Sequence, residues 1–136
     1  IINNYQLLLD RFVEEQESLL NLKINYTFNK KVPWEMVSAE EKINLYRIIQ
    51  ESFQNINKYS KATIIIFSFE YLHNSLKISI LDNGAGFDTK KASKGIGIKN
   101  MKDRAKLINA IYEMHSKLNK GTTTQISLQI NPKKEF

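Results

Sequence analysis

The chain has 136 residues, 42% of them hydrophobic, with 20 basic against 14 acidic side chains and a formal net charge of +6. That length suits one compact domain, and the aromatic content excludes wholesale disorder. The lack of cysteine excludes disulfides, thiolate metal sites and a cysteine nucleophile, and no apolar run approaches the roughly 20 residues that span a bilayer.

Residues 3–18 are expected to be helical, because Tyr5, Leu8, Leu9, Phe12 and Val13 recur at helical spacing. Residues 22–28 alternate apolar and polar like a half-buried strand, and a polar loop with Pro33 follows. Ser38-Ala39-Glu40-Glu41 has the form of a capping box. It predicts a helix from Ala39 to about Lys58 or Tyr59, with Ile43, Tyr46, Ile49, Phe53 and Ile56 as its apolar stripe. Ala62–Glu70 and Ser75–Asp82 read as an antiparallel strand pair joined by a short hairpin connection at Tyr71–Asn74. A flexible stretch over 83–97 holds four of the five glycines. A third helix over about Ile98–Ile108 and strands over 111–116 and 123–130 complete the chain. This order suggests a layer of helices on one face of a mixed sheet.

Four segments could carry chemistry. Glu51, Asn55 and Lys58 fall on one face of the long helix. They offer a carboxylate, an amide oxygen suited to Mg²⁺, and an ammonium; an ordinary solvated face has the same composition. Asp82-Asn83-Gly84-Ala85-Gly86 ends a strand. An ionised carboxylate accepts hydrogen bonds only, so a buried Asp82 would suit the amino group of adenine and reject the guanine carbonyl. The same residues are also ordinary turn chemistry. Lys94-Gly95-Ile96-Gly97-Ile98-Lys99 opens a helix, where free N–H groups favour an anion, but neither a Walker-type loop nor a dinucleotide fingerprint is present. Gly121-Thr122-Thr123 leads into the last strand with hydroxyls that could touch a ligand. His73 and His115 have no metal-site or triad partner in the sequence. The lysines are scattered, which favours a solubilising surface over a nucleic-acid stripe.

Taken in order, these segments resemble the GHKL ATPase superfamily. Leu45–Ser60 is similar to its N box, Asp82–Gly86 to its G1 box, Gly95-Ile96-Gly97-Ile98 to its G2 box, and Gly121-Thr122 to the Gly-Thr before its last strand. Within the superfamily the chain looks like the catalytic and ATP-binding domain of a bacterial sensor histidine kinase. Met101 and Arg104 fit the branch paired with regulators that carry helix-turn-helix output domains. The resemblance runs from about Leu22 to Pro132.

It implies an α/β (α+β) fold, a Bergerat-type two-layer sandwich whose mixed sheet is covered on one face by about three helices. Residues 1–136 would form one ATP-binding domain, with the helix of 1–18 leading from a dimerisation and phosphoacceptor region outside this sequence. Asn55 would bind Mg²⁺, Glu51 would position or activate the acceptor near the γ-phosphate, and Lys58 would contact phosphate. Asp82 would read adenine, with Gly84 and Gly86 lining its site. Gly95, Ile96, Gly97 and Ile98 would hold a lid over the phosphates, and Thr122 would close the adenine end. ATP, a phosphoacceptor histidine and a response regulator are the implied partners, with no nucleic acid. The parent would be a homodimer with this domain in the cytoplasm, anchored in the inner membrane, and the isolated chain would be a monomer that does not autophosphorylate. A GHKL serine kinase of the anti-sigma type and a non-catalytic nucleotide-binding module are the alternatives. Tyr59 stands where many members have histidine, Ile98 where leucine is commoner, and Asn109-Ala110 where a glycine pair is usual.

Overall fold

Tyr5, Leu9, Phe12 and Val13 form the buried side of α1 (Tyr5–Leu20). Leu8, expected on that side, is 43% exposed. The computed structural model describes residues 4–86 and 97–130. Strand β1 (Lys23–Phe28) follows, and the loop after it contains a single 3-10 turn at Trp34–Met36 that the sequence did not announce.

Helix α2 (Ala39–Asn55) starts at the expected capping box. Ser38 Oγ accepts from the Glu41 N–H at 3.0 Å, and Glu41 Oε1 accepts from the Ser38 N–H at 2.9 Å. Two donors that a helix start leaves open are thereby satisfied. Of the stripe expected on this helix, Ile49, Phe53 and Ile56 are buried, but Ile43 is 55% exposed, and Leu45, Ile48 and Ser52 widen the buried row on the other side. At Ile56 the backbone loosens into one π-helical turn, Ile56–Ser60, and stops at Lys61 with a left-handed φ of 54°.

Strands β2 (Ile64–Leu72) and β3 (Ser75–Asp82) pair antiparallel across His73-Asn74. Both turn residues have positive φ, 53° and 62°, which matches the right-handed twist of a two-residue hairpin. Helix α3 (Ile98–Leu107) and strands β4 (Ile111–Ser116) and β5 (Thr122–Gln129) follow. The five strands lie in the order β1-β2-β3-β5-β4. Among the described residues only β1 and β2 pair in parallel, which requires the crossover that α2 supplies.

The core lies between this mixed sheet and the helices. Ile65, Phe67 and Phe69 of β2 face it, while Ile64 and Ile66 face away. Along β3 the period of two puts Leu76, Ile78, Ile80 and Asp82 on the same, helix-facing side. Register sets Ile80 opposite Thr124 and Asp82 opposite Thr122. The apolar rows of β3 and β5 therefore turn polar together at one end of the sheet, beneath the end of α2.

Candidate functional site

Asp82 is 9% exposed at that polar end. Its Oδ1 accepts from the Ser60 hydroxyl at 2.7 Å and from the Gly84 N–H at 2.8 Å. The neighbouring Asn83 points the other way. Its Oδ1 accepts from the Thr63 and Ile64 N–H groups at 2.9 and 3.0 Å, and its Nδ2 donates to Thr63 Oγ1. Asn83 thus caps the start of β2 and clamps the strand end that carries Asp82. The turn reading of this motif applies to Asp82 itself, whose Oδ1 accepts from the Gly84 N–H two residues on while the side chain lies on the core side.

Gly84 is required by contact. A Cβ there would strike both the hydroxyl and the carbonyl oxygen of Ser60. The same carbonyl accepts from the Ala85 N–H at 2.6 Å. The 82–86 turn is therefore seated on the last residue of the π-helical turn. Gly84 thus serves the chain's own close packing.

A small pocket of about 20 Å³ opens beside Asp82. Asn55, Gly86 and Thr122 line it, together with Ser52, Tyr59, Ser60, Met101, Met114 and Thr124. Thr122 Oγ1 lies 2.8 Å from Ser116 Oγ. Asp82, Gly86, Asn55 and Thr122, distant in sequence, are thus brought to one hollow.

Glu51 and Lys58 line a different and larger cleft of about 930 Å³ between α1, α2 and α3. The face shared by Glu51, Asn55 and Lys58 in the sequence is split between two hollows, and Met101 of α3 lines both. Gly97, with φ 68°, caps α3 directly against Glu51: a Cβ on it would lie 2.6 Å from Glu51 Oε2. The carboxylate so placed meets the positive end of the α3 helix dipole. Ile98 is the first residue of α3. Gly95 and Ile96 lie outside the described residues.

No protein-family model matches the chain. Sensor histidine kinase LiaS of Bacillus subtilis (strain 168) is similar to it, at 32% identity over 118 residues, covering 79% of this chain and 32% of that protein. The signal transduction histidine-protein kinase/phosphatase DegS of Brevibacillus brevis is 36% identical over 89 residues, covering 65% of this chain and 23% of that protein. The chain thus spans between about a quarter and a third of the length of these curated relatives. The chain is a relative of the sensor histidine kinases. In fold it matches the histidine kinase domain of the Erythrobacter litoralis EL346 blue-light activated histidine kinase, with a TM-score of 0.71 over 90% of this chain and 59% of that one. Identity there is 15%, so this likeness speaks for the fold alone.

In this relative of the sensor histidine kinases two ties hold α3 to the rest of the site. Arg104 Nη1 donates to Asn44 Oδ1 of α2 at 3.2 Å, and Met101 Sδ lies 3.5 Å from both the Ser52 and the Tyr112 hydroxyls. Burial, and after it the negative charge of Glu51, push the Tyr112 phenol up, so it stays protonated across the physiological range. Sequence reasoning missed Ser52, Ser60, Met101 and Thr124 as members of the site. Thr124 carried a usable signal, since it lies two residues beyond Thr122 on a strand and so shares its face. Ser60 carried none, because the π-helical turn that delivers it has no local signature.

Proposed function

We propose that this domain binds Mg-ATP between its two layers and presents the γ-phosphate to a histidine on a separate dimerisation domain. The observation that carries the reading is the Asp82 carboxylate. It is nearly buried, with one oxygen committed to Ser60 and Gly84, and it shares a hollow with Asn55, Gly86 and Thr122. A carboxylate held this way accepts from an exocyclic amino group and offers nothing to a carbonyl. Asp82 is therefore assigned the adenine end, with Gly84 and Gly86 shaping it and Thr122 closing it.

The hollow has room for about one water molecule. A purine needs more, so Met101, Met114 or Tyr59 must shift to admit it. Methionine, unbranched and flexible, is well suited to that adjustment. From there the phosphates would extend past Asn55 towards Glu51 and Lys58, the boundary marked by Met101. Gly95, Ile96, Gly97 and Ile98 are assigned to the phosphate side.

The donor set fits magnesium. Asn55 supplies a hard amide oxygen on the wall of the site. No group of three or more His, Cys, Asp or Glu side chains that could hold a metal exists among the described residues. Mg²⁺ characteristically keeps several waters and completes its shell with phosphate oxygens, so one protein oxygen suffices. When bound, the ion neutralises phosphate charge. Glu51, packed against Gly97 at the start of α3, would orient the incoming imidazole or accept its proton, and Lys58 would hold phosphate by charge. Phosphoryl transfer asks the protein mainly for such positioning.

The acceptor histidine and a response regulator are then the macromolecular partners, with a homodimeric parent anchored in the inner membrane. No helix among the described residues is long and apolar enough to cross a membrane. Calorimetric titration of the chain with ATP and GTP, with and without Mg²⁺, tests the reading. ATP is expected to bind at least about tenfold more tightly than GTP, the cost of mismatching a buried hydrogen-bonding group. Asn55→Ala is expected to abolish the Mg²⁺-dependent part of the affinity and to spare the rest. Equal affinity for ATP and GTP would overturn the adenine assignment.

A further inference from the structure

We propose that Ser60 is a specificity-positioning residue of the nucleobase site, acting on Asp82 through its hydroxyl. The inference rests on the adenine assignment and extends it to the residue that holds the base-reading carboxylate. Both hydrogen bonds that Asp82 accepts among the described residues fall on Oδ1, from Ser60 Oγ and from the Gly84 N–H. The two donors fix the carboxylate's rotation, so that Oδ2 is the oxygen left for a ligand in the pocket that Asp82 lines.

Ser60 is suited to this by its place in the chain. It is buried, it ends the π-helical turn, and it seats the 82–86 turn from beneath. Its carbonyl holds the Ala85 N–H at 2.6 Å, and Gly84 packs against it with no space for a Cβ. An α-helical continuation from Asn55 would advance each residue by about 100°, whereas a π turn advances it by less and closes i to i+5 bonds. The looser turn is what brings the Ser60 hydroxyl under Asp82. One residue therefore joins the end of the Asn55 helix to the strand end that reads the base. Removing its hydroxyl leaves Oδ1 to the Gly84 N–H alone and so loosens the carboxylate's rotation.

The test compares ATP with the triphosphate of purine riboside, which lacks the 6-amino group. Binding of both is measured to wild type, Ser60→Ala, Ser60→Cys and Ser60→Thr, with a melting curve for each. Cysteine keeps the size but is a weak donor, and threonine keeps the hydroxyl. Wild type is expected to prefer ATP. In Ser60→Ala and Ser60→Cys that preference is expected to fall by about tenfold, the effect of loosening one charge-assisted hydrogen bond; Ser60→Thr should retain it. In an Asp82→Asn background, Ser60→Ala should leave the ratio unchanged, since the two residues act as a unit. A purely structural serine would lower affinity for both nucleotides together and leave the ratio intact in Ser60→Ala and Ser60→Cys. That outcome overturns the inference and leaves the adenine assignment standing. A wild type with no preference for ATP over the purine analogue overturns the assignment, and the inference falls with it.

Discussion

Asp82→Asn is expected to weaken ATP binding by roughly a hundredfold and to leave GTP binding unchanged or improved. The asymmetry follows from where the protein's own donors fall. Ser60 Oγ and the Gly84 N–H both point at Oδ1, at 2.7 and 2.8 Å. An asparagine in this position must place its carbonyl oxygen there, because its amide nitrogen would set donor against donor. The nitrogen then occupies the place of Oδ2 and presents two N–H groups to the pocket. Adenine's amino group meets a donor and loses a charge-assisted hydrogen bond, worth about 1.5–3 kcal/mol. The guanine carbonyl meets the donor it lacked before. Asparagine is nearly isosteric and keeps both internal hydrogen bonds, so the melting temperature should barely move. Calorimetry with both nucleotides on both proteins decides the matter, and a parallel loss of ATP and GTP would sink the proposed division of Oδ1 and Oδ2.

Much of this arrangement was legible in the residues. The capping box located the start of α2, and the two-residue hairpin of β2 and β3 falls within the predicted connection. Strand periodicity alone sets Asp82 on the same face as Leu76, Ile78 and Ile80, which is why a residue common in turns ends up facing the core. Other features depend on tertiary contacts that local pattern does not encode. The buried row of α2 misses Ile43 because α1 packs on its flank. There the Tyr5 hydroxyl donates to the Lys42 carbonyl at 2.8 Å, and the Lys42 ammonium sits 5.9 Å from the Tyr5 ring centre. A lysine that reads as surface is thereby buried, and the stripe rotates away from Ile43. The parallel pairing of β1 with β2 required knowing where the crossover lands. The division of Glu51, Asn55 and Lys58 between two hollows depends on Met101, which lines both from a different helix.

The largest effect on stability is expected from Phe53→Ala. Phe53 is 1% exposed and stands edge-on to Phe12 of α1, with ring centroids 5.1 Å apart, and to Phe67 of β2 at 5.3 Å. It joins three elements at one point, so the surroundings have little freedom to collapse into the space it leaves. Truncating such a side chain costs about 3–5 kcal/mol. Small domains hold only about 5–15 kcal/mol in all, so a lowering of the melting temperature by roughly 10–20 °C follows. Ile43→Ala on the same helix is the internal control. Its side chain is more than half exposed, and its replacement should stay within about 0.5 kcal/mol of the parent. A large loss at Ile43 and a small one at Phe53 would mean that the buried face of α2 is misassigned. Phe53 also lies between Ser52 and Asn55 of the small pocket, so nucleotide should protect the weakened protein. Mg-ATP at a hundred times its dissociation constant adds about 2.7 kcal/mol to whatever folds around it. Melting curves of Phe53→Ala with and without Mg-ATP should therefore show more than half of the lost stability restored. Failure of Mg-ATP to raise the melting temperature of either protein would count against binding at this site altogether.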